Sequence, residues 1–274
     1  MYYYTTPPPE VLADYVQFFW VLEGQATADF PFVHRSLADN GPEFIFYCKG
    51  QFTRYGNLSK DQRTFRAGIY GQTQHFYQFK TESDFGIFGV YLYPYAIQHL
   101  FSIPGTELSN ENADVNTLLG VEGEILEEKV MLAINHDARV KLVSDFLITK
   151  IKKAKNDNPG IVSCIKDVIR HQRLISIPVL AHNCNLSRRQ FERRFKDASG
   201  FSPQDFLRLV RFNVAIKQSS AKNKSLTQIA MDCGYYDQSH FIHEFSKFSG
   251  YSPKQFFKHA SEAKDYRATT EFEL

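Results

Sequence analysis

Along the last third of the chain, apolar residues recur three or four positions apart, the spacing that lays one stripe along one face of an α-helix. Phe191, Phe195 and Ala198 form such a stripe, and Phe241, Phe245 and Phe248 form another fifty residues later. The echo extends beyond the stripes: Ser199-Gly-Phe-Ser-Pro203 returns as Ser249-Gly-Tyr-Ser-Pro253. Upstream, Leu180-Ala181 answers Ile229-Ala230 at an offset of 49, so the second copy carries one extra residue between its helices. A slip confined to a turn leaves both helices intact, and the pattern predicts two copies of one helix-turn-helix.

The punctuation agrees. Ser187 with Gln190, Ser225 with Gln228 and Ser252 with Gln255 have the spacing of capping boxes, in which the hydroxyl and the amide satisfy N–H groups at a helix start. Asp237 is placed to cap a fourth helix. Ser202-Pro203 and Ser252-Pro253 put proline at the first helical position, and Gly200 and Gly250 end the helices before them.

The first hundred residues alternate differently, in short aromatic runs separated by Gly, Asn and Pro: 43–48, 68–71, 75–80 and 85–93. These predict strands, with Phe18-Phe19-Trp20 opening the sheet after a Pro-rich lead-in and a short helix over 95–101. Two amphipathic helices are expected over 122–135 and 137–155, broken near His136 and closed by the linker 156–160. The expected class is α+β, with a β-rich domain over 1–120, a helical connector over 121–159, an all-α double helix-turn-helix over 160–260 and a tail over 261–274. Ile161, Ile165, Val168 and Ile169 are expected to pack on Val179 and Leu180 and close the helical domain's core.

Charge divides along the same line. The whole chain is only +2, but residues 160–260 hold 16 Lys and Arg against 7 Asp and Glu, a net of +9, leaving −7 for the remainder. A basic module on an acidic partner suits a phosphate-backbone ligand. No window is long and apolar enough to span a membrane, and the first residues lack the basic and apolar regions of a signal peptide, so a cytoplasmic protein without a membrane partner is expected. Cys48, Cys164, Cys184 and Cys233 form no C-x-x-C pair and are read as buried thiols or, failing that, redox sensors.

The outward face of the first repeat's second helix carries Arg188, Arg189, Glu192, Arg193 and Lys196. Arg can grip guanine O6 and N7 with two hydrogen bonds, and Glu can accept from cytosine N4. The matching face of the second repeat, Gln238, Ser239, Ile242 and His243, is nearly neutral.

At Phe191-Glu192-Arg193-Arg194-Phe195-Lys196, at Ile229-Ala230 with Cys233-Gly234-Tyr235, and at Gln238-Ser239 with Phe241, the chain resembles the AraC/XylS family of bacterial transcription regulators. The resemblance covers roughly residues 160–260 and implies that both recognition helices enter adjacent major-groove segments. It implies base contacts from Arg188, Arg189, Glu192, Arg193, Gln238, Ser239, Ile242 and His243. Ser187, Lys196, Arg208, Arg211 and Lys254 are candidates for phosphates, with pairing of Arg208 and Arg211 to Asp205 or neighbouring acids as the alternative. His243 stands where the family usually has a second Arg and Ser246 where it has Lys, so readout is expected to rest on the first helix.

Family members commonly join this half to a cupin-like β-sandwich that binds a small molecule or mediates dimerisation, and residues 11–20, 39–43 and 93–105 resemble one branch of such sensors. His34, Phe46, His75, Tyr77 and Tyr91 are the candidate wall of a ligand pocket; the same aromatics could equally fill a core. No H-x-H occurs, and although His34, His75 and Glu43 could meet in space, no metal site, cofactor or catalytic residue is implied. The expected partners are double-stranded DNA, a small-molecule effector, a second copy of the chain, and RNA polymerase if the protein activates. A DNA-modifying or repair enzyme carrying an AraC-like module is the rival, but Cys48 has no neighbouring base or zinc-ligand partners in sequence.

Overall fold

The computed structural model describes residues 1–55, 62–153, 159–171, 175–218 and 224–259. The tail over 261–274 and most of the expected linker lie outside them. Strands β1 (Tyr2–Thr6), β2 (Val16–Gly24), β4 (Glu43–Lys49), β7 (Ala67–Tyr70), β9 (Phe85–Leu92) and β10 (Asn112–Asp114) form one antiparallel sheet in the order β1-β2-β9-β4-β7-β10. A second sheet, β3-β8-β5-β6, is made of β3 (Phe32–Ser36), β5 (Thr53–Tyr55), β6 (Gln62–Arg63) and β8 (Tyr77–Thr81).

The large sheet is covered on both faces, which is why β4 and β9 read as almost continuous apolar runs. On one face Phe44, Phe46, Phe88 and Val90 pack on α1 (Ala96–Phe101), α3 (Val121–Leu132) and α4 (His136–Lys153) through Leu100, Leu126, Val130, Val143 and Leu147. On the other, Leu22, Ile45, Tyr47, Phe85 and Ile87 meet Phe32, Phe52 and Phe79 of the small sheet and its flank. The short helix α2 (Val115–Leu119) joins β10 to α3. Helices α3 and α4 thus share the core of the β-domain, and the break between them lies at 133–135, just before His136.

Strands β1, β3, β5, β6 and β10 have no counterpart in the sequence pattern. Residues 2–6, expected as lead-in, form β1 along the edge of β2, with Tyr2 opposite Glu23 and Thr6 opposite Phe19. An edge strand with one face half in solvent needs no alternation, and Pro7, Pro8 and Pro9 stop it.

The helical half contains α5 (Pro159–His171), α6 (Ile177–Asn183), α7 (Arg188–Ser199), α8 (Pro203–Lys217), α9 (Leu226–Asp232), α10 (Gln238–Ser249) and α11 (Pro253–His259). The starts are capped as the sequence predicts. Ser187 and Ser225 each make a full capping box, and Ser202 and Asp237 accept from Asp205 N and His240 N. Gly200 and Gly250 end α7 and α10 at φ +82° and +71°, the left-handed region that favours glycine. Phe191, Phe195, Phe206, Phe212, Phe241 and Phe245 are wholly buried in one cluster. Ile161, Ile165 and Val168 join it with Leu180, whereas Val179 faces solvent. The same cluster also takes in Leu37, Ala38 and Tyr95 of the β-domain.

Candidate nucleic-acid interface

Helices α7 and α10 are the second helices of the two repeats. Burial of Phe191 and Phe195 forces the rest of α7 outward, leaving Arg188, Arg189, Arg193 and Lys196 exposed and Glu192 half-buried. Arg188 Nε donates to Glu192 Oε1 at 2.8 Å, an exposed i,i+4 pair that holds the two side chains together. The pair is exchangeable for base contacts, because an exposed ion pair is worth at most about 1 kcal/mol. On α10, Ser239 and His243 are exposed, Ile242 is half-buried, and Gln238 Oε1 accepts from Thr227 Oγ1 at 2.8 Å. Ser187 donates its hydroxyl to Gln190 as part of the cap, and Lys254 is exposed at the start of α11.

Arg208 and Arg211 behave otherwise. Both turn from α8 toward Glu244 of α10, a carboxylate only 1 % exposed. Arg208 Nε donates to Glu244 Oε2 at 2.6 Å and Arg208 Nη1 to Asp205 Oδ1 at 3.3 Å, while Arg211 Nη2 lies 3.8 Å from Glu244 Oε1. Burial would lower the Arg208 pKa, but the hydrogen bonds and charges of Glu244 and Asp205 outweigh it and raise it. The phosphate assignment of these two residues is therefore corrected to pairing within the scaffold. Position 244 falls on the buried stripe of Phe241, Phe245 and Phe248, and α8 supplies the cations that meet its charge there.

Between the two sheets lies a cavity of about 100 Å³, walled by rings that include Phe18, Trp20, Tyr47, Tyr70 and Tyr91. The Trp20 indole packs against Gly89, where a Cβ would lie 2.0 Å from the ring. Of the residues expected to wall it, His34, Tyr77 and Tyr91 do so. Phe46 does not, because Glu43, Ile45 and Tyr47 take the cavity side of β4 and pleating sends Phe46 into the core beneath. His75 does not either; it sits in the turn before β8 near Lys247, and burial followed by that lysine's charge lowers its pKa.

Polar groups are concentrated toward one end. Asp39 Oδ1 accepts from Tyr91 Oη and from the N–H groups of Asn40 and Gly41. Glu43 is only 6 % exposed, and Arg54 donates to Asn112 Oδ1 at 3.0 Å with its guanidinium 5.0 Å over the Tyr77 ring. Sequence reasoning missed Trp20 and Arg54; each lies on a strand whose partner sheet cannot be read from period two alone.

Among the described residues, no group of three His, Cys, Asp or Glu is placed to hold a metal ion. Cys48 is half-buried and its thiol is pushed up by burial, the opposite of an activated nucleophile. Cys164 is likewise pushed up to about 12 and Cys233 to about 11, burial leading in both. No helix among the described residues is long and apolar enough to cross a membrane.

Two capped helix-turn-helix units on one joining helix, carried by a β-domain with an internal cavity, define a protein of the helix-turn-helix class. Residues 180–259 match the family described as Helix-turn-helix domain, and residues 4–114 match one described as Domain of unknown function (DUF6597). The chain is 31% identical over 85 residues to the probable transcriptional regulator LumQ of Photobacterium leiognathi, covering 31% of this chain and 34% of that protein. It is 37% identical over 79 residues to the raffinose operon transcriptional regulatory protein RafR of Pediococcus pentosaceus, covering 29% and 28%. The alignments thus span about a third of these relatives' own length. Among solved structures, ToxT from Vibrio cholerae O395 aligns over 89% of this chain and 99% of its own, at a TM-score of 0.47 and 12% identity. The helical half is thus similar to the helix-turn-helix domains of transcription regulators.

Proposed function

We propose that the protein is a sequence-specific DNA-binding transcription regulator, without enzymatic activity, whose β-domain cavity receives a small-molecule effector. The observation that carries this reading is the pair of recognition helices, held by one repeated set of caps, with Arg188, Arg189, Glu192 and Arg193 turned outward on the first. These four are assigned to base edges, with Gln238, Ser239, Ile242 and His243 on the second helix. Lys196, Lys254 and the N-terminal cap at Ser187 are assigned to phosphates. Helix α8 has 15 residues. At about 1.5 Å per residue it spans roughly 22 Å, against about 34 Å between successive major-groove segments, so full docking of both helices bends the duplex.

A homodimer contact is assigned to the outer face of α3, where Val121, Ile125 and Leu132 are 70 %, 46 % and 75 % exposed. RNA polymerase is a partner if the regulator activates, and the cytoplasm is the compartment the reading requires. The test is binding to random duplex DNA across a salt series, followed by sequencing of the genomic DNA the protein retains. Salt-dependent binding with enrichment of one motif is expected. Absence of binding at low salt overturns the reading.

A further inference from the structure

Cys164 and Cys184 meet, although twenty residues of chain lie between them. Cys164 lies on the inner face of α5, 8 % exposed, and Cys184 ends α6, half-buried against the same apolar cluster. Cys184 Sγ donates to the Gly160 carbonyl at 3.6 Å and is hydrogen-bonded to the Cys164 thiol. With the Cys184 proton committed to Gly160, Cys164 is the donor of the pair. Thiols in such contact already converge from their two helices, which is what a disulfide requires.

The second repeat supplies a comparison. Cys233 ends α9 as Cys184 ends α6, with φ −87° at both and ψ 3° and 2°. Cys233 is 2 % exposed and sits beside Asp232 and Lys224, a small core residue closing a helix end. Packing alone therefore accounts for one thiol at this point of the repeat. It does not account for a second thiol placed against it, and that arrangement belongs to the first unit. The residues after Cys184 are the turn that aims α7. Only Asn185 and Leu186 separate it from Ser187, the cap of α7, and Asn185 holds φ +53°, in the left-handed region. Asn185 N donates to the His182 carbonyl at 2.9 Å and Leu186 N to the Ala181 carbonyl at 3.0 Å, so the turn has little slack. A shift at residue 184 is carried directly to the start of the reading helix, where Arg188 and Arg189 stand.

We propose that Cys164 and Cys184 are a redox site, oxidised by a peroxide to a disulfide that draws α6 toward α5, displaces the turn before α7 and weakens base reading by the first unit. The consequence for DNA rests on the regulator reading; the disulfide does not. The Cys184 sulfur, the more exposed of the two, attacks one peroxide oxygen and becomes a sulfenic acid, while the other oxygen leaves as hydroxide and takes the Cys184 proton to give water. The Cys164 sulfur then attacks the Cys184 sulfur, and its own proton leaves with the displaced hydroxyl as a second water. Two thiols thus lose two hydrogens and two electrons, and the peroxide gains them. Gly160 loses its thiol donor in the same step. Burial holds both thiols above their ordinary range, Cys164 at about 12, while the hydrogen bond from Cys164 pulls Cys184 back down. The resting pair is protonated and reacts slowly, so the site answers to sustained oxidant and stays reduced through brief exposure.

The full chain, reduced and then treated with hydrogen peroxide, is digested and its peptides mapped by mass spectrometry. A peptide pair joined through Cys164 and Cys184 is expected in the wild type and in Cys48→Ser, absent from Cys184→Ser, and undone by dithiothreitol. Amide hydrogen exchange at residues 184–190 should change on oxidation, while the matching residues 233–240 keep their rates. Binding to DNA selected by the reduced protein should weaken by about tenfold, the worth of one good base contact, with affinity for random duplex unchanged. Cys184→Ser and Cys164→Ala should bind alike before and after peroxide; should Cys164→Ala fail to fold, Cys184→Ser at the half-buried position carries the test. Peroxide-treated protein without the joined peptide pair overturns the site. Joined protein with unchanged exchange at 184–190, or with undiminished affinity for selected DNA, overturns the switch. A reduced protein that binds no DNA sinks the regulator reading instead, and the peptide map and the exchange rates still decide the redox site.

Discussion

Glu244→Ala should destabilise the helical half more than any other single removal of a charge. The carboxylate is 1 % exposed and faces Arg208 at 2.6 Å and Arg211 at 3.8 Å from α8, with His240 Nε2 at 3.8 Å. Removing one partner of a buried pair costs about 3–5 kcal/mol, because the remaining charge keeps its desolvation penalty without its counter-ion. Two features reduce that figure: the Arg208 and Arg211 side chains are 29 % and 21 % exposed, and Arg208 retains Asp205 at 3.3 Å. Solvent screening of partly exposed groups brings the expected loss to about 2–3 kcal/mol. The assay is urea unfolding followed by circular dichroism, reading the midpoint at constant slope. Arg208→Met combined with Glu244→Leu should recover most of the loss, since a well-packed apolar pair replaces a buried ionic one at little cost. A loss below about 0.5 kcal/mol in Glu244→Ala, or no recovery in the double variant, would refute the assignment of these arginines to the scaffold.

Arg193→Ala should cost about 1–3 kcal/mol of DNA affinity and relax preference at one base position, while His243→Ala costs less, measured by fluorescence anisotropy on matched and single-substituted duplexes. The reverse ranking removes the first helix as principal reader. Lowering the pH should destabilise the fold around His75: burial holds its folded pKa below the ordinary 6.5, so the unfolded chain binds the proton more readily. The contribution is present above pH 6.5 and is lost as pH falls through the lower folded value, and His75→Asn should flatten that part of the stability–pH curve. A fragment beginning at residue 160 should still bind DNA, as the repeat implies, but melt below the full chain because Leu37, Ala38 and Tyr95 no longer close its core; equal melting temperatures would contradict this.

Most of the helical half could be read from the sequence because its signals are local. A capping hydroxyl and the amide three residues on, or a glycine stop followed by Ser-Pro, act within one turn of helix, and each was found where expected. In the sheets, β2, β4, β7, β8 and β9 were legible as strands but not as faces, and the short or edge strands β1, β3, β5, β6 and β10 were not legible at all. Alternation reports which side of a strand is buried only when the other side is wet, and β4 is apolar on both, so Phe46 could not be told from Tyr47. Arg208, Arg211 and Glu244 show a further limit: 36 residues separate Arg208 from its carboxylate, and no periodicity links a charge on α8 to one on α10.

The boundary between the halves is where sequence reasoning is weakest, for a physical reason. A domain whose core closed on itself would bury only its own residues, and residues 160–260 carry the apolar stripes to do so. Yet their buried cluster borrows Leu37, Ala38 and Tyr95, and Lys166 Nζ reaches across to Asp14 Oδ1 at 2.7 Å. None of these contacts has a sequence signature, since each comes from a single residue at a strand end or a turn. A chain that only tethered a sensor to a DNA-binding unit would need none of them. Their presence makes the β-domain a structural member of the helical core, so that losing these contacts opens packing on which the helix-turn-helix units rest.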